Sequence, residues 1–111
     1  MKRVVAIAIV TAVLGGFAFA AHERATAQDR AEAGRAEFVR QGCHGCHTIG
    51  KLGTPIGPDL SRVGAKYSES YLRAWLRDPA MQRPAAHMPA LELTNDQIAA
   101  LAAFLAKEAT P

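Results

Sequence analysis

Five consecutive residues, Cys43-His44-Gly45-Cys46-His47, carry the most reactive groups of this 111-residue chain. Two thiols stand two residues apart, and an imidazole follows the second directly. This C-x-x-C-H spacing suits covalent attachment of a haem. Each thiol can add across one vinyl group of the porphyrin to give a thioether. A two-residue gap lets one turn of backbone present both sulfurs to the same edge of the ring. His47 then falls where neutral imidazole ligates iron. Other uses of the same residues fit less well. Thiol–disulfide exchange would need a strand–helix context, and no β-rich run precedes Cys43. Structural zinc would need four ligands, but there is no second cysteine pair, and His22 lies in a segment expected to be removed. A disulfide across so small a loop would remove little unfolded-state entropy.

At these residues the chain resembles the c-type cytochromes, and two further segments resemble those of class I. Gly57-Pro58-Asp59-Leu60 is similar to the family's G-P-x-L segment. The resemblance implies that the Pro58 carbonyl accepts the second N–H of His47, a bond that fixes the tautomer and raises ligand basicity. An ordinary turn proline is the plainer reading of Pro58. His87-Met88-Pro89 resembles the family's M-P segment, which implies Met88 as the second axial ligand. Met81, His87 and His44 compete for that role. His44 is confined within the attachment motif, and Met81 lacks the following proline. Pro84 and Pro89 keep the Met88 segment extended. Ligation by His87 would give a bis-imidazole site of lower potential than a thioether site.

The elements that must position these groups are helical. Asp29 to Gln41 reads as a helix with Ala31, Gly34 and Phe38 on a small-residue face, ended by Gly42. Thr94-Asn95-Asp96-Gln97 matches a capping box, with Leu93 and Ile98 as its hydrophobic staple. Ile98, Leu101, Phe104 and Leu105 then recur at helical spacing. Gly34 is costly inside a helix unless another backbone approaches closely, so the two terminal helices are expected to cross there. Between Thr48 and Gly64 lies a glycine- and proline-rich loop, expected to wrap the bound group. Ser68 can cap a helix from Glu69 to Arg77, ended by Pro79. Its apolar face is Leu72, Trp75 and Leu76. Trp75 reads as a core or haem-wall residue whose indole N–H needs an acceptor if buried, a haem propionate being one candidate. Arg73 and Arg77, with Lys66 and Arg83, read as a solvated face or as a dock for an acidic partner.

Met1-Lys2-Arg3 and the apolar run from Val4 to Ala21 have the form of a secretory signal. Cleavage fits after Ala20 or after Ala27, and the second is preferred because Gln28-Asp29-Arg30 opens a polar, helix-ready stretch. The rival reading is a retained anchor: those residues would span about 27 Å as a helix, close to a bilayer core. The chain therefore divides into a leader, 1–27, and one haem-binding domain, 28–111. The location is periplasmic, or at the outer face of the inner membrane if the leader is kept. The whole chain carries thirteen basic and ten acidic side chains, a net +3. Lys2, Arg3 and Arg24 fall in the leader against Glu23, leaving ten basic and nine acidic in the rest. That balance gives no nucleic-acid surface.

The resemblance implies an all-α class I cytochrome c fold, with three to four helices wrapped around one covalently bound haem. Cys43 and Cys46 would tether the haem c by two thioethers, His47 and Met88 would ligate iron, and Pro58 would orient His47. The implied function is one-electron carriage between a redox protein donor and an acceptor. Two alternatives stand beside it. One is a haem subunit of a larger thiosulfate-oxidising or oxidase-type complex, which the Tyr71–Pro79 segment also resembles. The other is an enzyme or sensor with an open iron site. No acid/base pair or nucleophile constellation suits substrate turnover.

Overall fold

The computed structural model describes residues 26–108. The expected leader falls outside these residues, except for its last two. Among the described residues no helix is long and apolar enough to cross a membrane.

Helix α1 runs over residues 26–40. Ala31, Gly34, Glu37 and Phe38 form its buried stripe, spaced three, three and one residues apart along the helix. The stripe packs on α5, Asn95–Lys107, and the expected crossing is present. A Cβ built on Gly34 would lie 1.9 Å from the Ala100 carbonyl oxygen and 2.6 Å from Phe104 Cβ. Only a hydrogen fits there. Beside the crossing, the rings of Phe38 and Phe104 meet edge to face, 5.8 Å apart and inclined at 60°, the arrangement that aromatic quadrupoles favour. Phe38 and Leu101 are fully buried, each worth about 1.5–3 kcal/mol in transfer from water.

The caps follow the local sequence. Thr94 Oγ1 accepts from Gln97 N–H at 3.2 Å while Gln97 Oε1 accepts from Thr94 N–H at 2.8 Å, closing the capping box on α5. Leu93 packs against the same core that Ile98 enters. Gly42 ends the first helical segment with φ 75°, left-handed backbone that side chains other than glycine rarely adopt. Ser68 Oγ caps α3, Glu69–Arg77, through Tyr71 N–H.

Two parts differ from expectation. The segment after His47 is not all loop: β1, Thr48–Ile49, pairs antiparallel with β2, Leu52–Gly53. A one-turn helix, α2, Val63–Lys66, follows. Pro79 begins a helix as well as ending one. Asp78 terminates α3 and then accepts from Ala80 N–H at 3.1 Å, capping α4, Pro79–Gln82. Proline suits the first position because its missing N–H has no intrahelical partner there anyway. Among the described residues, three principal helices, two single helical turns and a short hairpin thus enclose a core of Phe38, Val63, Leu72, Leu76 and Ile98 with its α5 neighbours.

Candidate haem site

The attachment motif begins as a 3₁₀ turn, Cys43–Gly45, directly after the helix-ending Gly42. Cys46 and His47 both return their N–H groups to the Cys43 carbonyl, at 3.2 and 3.0 Å. The turn is therefore closed on itself, with both cysteines on one short arc of backbone. Cys43 is half-buried against the core and Cys46 is exposed; both are free thiols. Burial pushes the Cys43 thiol above its ordinary pKa; a backbone hydrogen bond partly offsets this, and the Glu37 carboxylate adds to the rise. Thr54 N–H donates to the His44 carbonyl at 3.0 Å and ties the turn to the hairpin.

His47 Nδ1 lies 2.7 Å from the Pro58 carbonyl oxygen. A carbonyl can only accept, so Nδ1 carries the proton and Nε2 is the lone-pair nitrogen. Gly57 makes room for this contact: a Cβ there would stand 2.8 Å from His47 Cε1 and 3.1 Å from Nδ1. Gly57 N–H also donates to the Cys46 carbonyl. Proline and glycine of the G-P-x-L segment thus act on one imidazole, one as acceptor and the other as clearance.

Of the four competitors for the second ligand, Met88 is half-buried and packs against the core. Met81 lies on α4 with 78% of its surface exposed, and His87 is exposed. His44 sits inside the attachment turn with a buried Nδ1 that has no hydrogen-bond partner. The Met88 sulfur accepts a hydrogen bond from the Trp75 indole N–H at 3.1 Å. The indole N–H thus has an acceptor within the chain, the Met88 thioether. The basic face is partly committed within the chain. Arg73 pairs with Glu69 at 2.7 Å and Arg77 reaches Asn95 Oδ1 at 3.4 Å.

These residues fit a haem. Two thiols and an oriented imidazole share one turn. Ile49, Leu60, Met88 and Leu93 are apolar yet only half-buried beside the core. Among the described residues no three His, Cys, Asp or Glu side chains converge as another metal cluster. Ile56, 75% exposed, and Leu52 add apolar surface to the segments flanking His47 and Pro58.

Sequence reasoning missed two features here. Asp59 bonds to Thr48 and Ser61 across the base of this segment. Glu37 is buried, accepting from Arg40 and from Gln41 Nε2. The signal for the first was faint: an Asp-x-Ser triplet, common in turns.

Fold and site together define a small helical protein with a turn built for thioether attachment of haem. Residues 31–108 match the Cytochrome c family, and the chain belongs to that family. Its chemistry is accordingly haem-based electron transfer, with Cys43 and Cys46 positioned for attachment. A relative from Alkalihalophilus pseudofirmus, cytochrome c oxidase subunit 2, is 36% identical over 84 residues. The match covers 68% of this chain and 25% of the relative, so the chain spans about a quarter of that protein's length.

Proposed function

We propose that the protein is an exported, one-haem electron carrier with His47 and Met88 as axial ligands. When bound, the haem iron supplies the one-electron ferric–ferrous couple. The chain would hold it through Cys43 and Cys46, give Nε2 of His47 from one side and the thioether of Met88 from the other. Pro58 fixes the imidazole tautomer, and the surrounding apolar side chains lower the local dielectric. Strong, fixed ligands keep the geometry alike in both oxidation states, which is what fast electron exchange requires. The observation that carries this reading is the Trp75–Met88 hydrogen bond at 3.1 Å. It restrains a half-buried sulfur in a family member and favours a closed carrier site over an open enzyme or sensor site. The donor and acceptor are redox proteins, in the periplasm or at the outer face of the inner membrane.

A second reading has its own support. The relative named cytochrome c oxidase subunit 2 matches this chain over a quarter of its length, which favours service as the haem-bearing part of an oxidase-type assembly. Mass spectrometry and gel filtration of protein from its native host test both. A monomer carrying one haem mass, retained in acidified organic solvent, supports the carrier. Co-purification with larger subunits supports the assembly. Loss of pigment to the solvent contradicts both.

A further inference from the structure

The imidazole of His47 is oriented by a carbonyl from residues 57–61, a stretch with neither helix nor strand. Something else must keep that stretch in register with the hairpin following His47. Asp59 Oδ1 accepts three hydrogen bonds: from Thr48 Oγ1 at 3.1 Å, from Ser61 N–H at 3.0 Å and from Ser61 Oγ at 2.7 Å. Ser61 Oγ in turn accepts from Gly50 N–H at 2.8 Å, and Leu60 N–H donates to the Thr48 carbonyl at 2.8 Å. The Asp59–Ser61 bonds are a local turn, but the bonds to Thr48 and Gly50 cross eleven residues and join two separate segments. His47 and Pro58 lie immediately before the two stitched stretches, so their contact is the next rung of the same ladder.

We propose that Asp59 is a positioning residue for His47, its carboxylate clamping the Thr48–Gly50 and Leu60–Ser61 segments so that the Pro58 carbonyl stays on Nδ1–H. The assignment rests on His47 being the haem's proximal ligand. An ionised carboxylate suits the role because it only accepts, and strongly. Hydrogen bonds from Ser61, above all, hold the Asp59 carboxyl below the usual carboxylate range and keep it in that form. The consequence reaches the metal through ligand basicity. A firm Nδ1–H···O bond makes imidazole a better donor and favours ferric iron; a loosened one does the reverse.

The test uses the holoprotein and follows exchange of the His47 Nδ1–H proton by NMR in the diamagnetic ferrous state, together with the reduction potential. Asp59→Ala is expected to exchange about three- to tenfold faster, the equivalent of one lost hydrogen bond, and to have a raised potential. Asp59→Asn, which keeps an acceptor oxygen in place, should restore most of both. Ser61→Ala, which removes the Gly50 link and one of the three hydrogen bonds to Asp59, should fall between. Wild-type exchange and potential in Asp59→Ala would overturn the assignment, whatever its melting temperature. If Asp59→Ala yields no holoprotein, Ser61→Ala is judged by the same criterion. A wild-type protein without a covalently held haem ligated by His47 overturns the functional reading and this assignment together. Intact wild-type ligation with unresponsive variants overturns this assignment alone.

Discussion

The indole N–H of Trp75 donates to the sulfur of Met88 at 3.1 Å, joining the middle of α3 to a loop thirteen residues further along the chain. A thioether sulfur has two lone pairs, so one can face the indole while the other is left for a metal. The N–H dipole directs its positive end at the sulfur and disfavours added positive charge beyond it. Trp75→Phe keeps the ring and deletes the donor. The reduction potential should fall by about 20–40 mV, the scale of part of one neutral hydrogen bond for a one-electron couple. Redox titration of the purified variant checks this, and a rise would contradict the assigned polarity.

Gly57 is the clearance for His47. Gly57→Ala places a methyl 2.8 Å from Cε1 of the imidazole, and either the ring or the Pro58 segment must move. A stability loss of about 1–3 kcal/mol is expected, typical of overpacking, along with a poorer yield of haem-loaded protein. Chemical denaturation and the ratio of haem to protein absorbance measure the two effects.

Much of this arrangement was legible in the residues themselves, and the exceptions have a common cause. Thr94 with Gln97, Ser68, Gly34 and the His47–Pro58 pair were readable because each depends on local chemistry or on a known segment. The hairpin was not, since strands of two residues, Thr48–Ile49 and Leu52–Gly53, are too short for any period to register. The acceptor for Trp75 and the partners of Asp59 were not readable either. Met88 lies thirteen residues from Trp75 and Thr48 eleven from Asp59, separations at which only the folded chain decides who meets. Pro79 was read as a stop because a proline ends the preceding helix. The same fixed φ also starts the next turn.

The crossing of α1 and α5 has no spare room. Gly34→Ala would set its Cβ against the Ala100 carbonyl oxygen at 1.9 Å and Phe104 Cβ at 2.6 Å. The helices must separate, opening the Phe38–Phe104 contact. A loss of about 3 kcal/mol is expected, at the upper end of overpacking costs. It should appear as a lower urea midpoint with an unchanged slope.

Asp59 also makes a prediction in pH. Its carboxyl is held below the ordinary range by Ser61, then Thr48, with Lys66 adding a smaller pull. A lowered folded-state pKa contributes stability above the unfolded value and loses it as pH falls through the folded one. Wild type should therefore lose its advantage over Asp59→Asn as pH drops from about 5 towards 2. Paired urea titrations cancel the carboxylates common to both proteins; a difference constant across that range would contradict the sign.

The closing of the iron site by a thioether is the claim on which carriage depends, and the reduction potential of Met88→Ala tests it most directly. Replacing a methionine ligand by water or a nearby imidazole lowers the potential, so a fall on the order of 100 mV or more is expected, with Met81→Ala at the wild-type value as the control. A Met88→Ala protein that titrates at the wild-type potential would contradict the account.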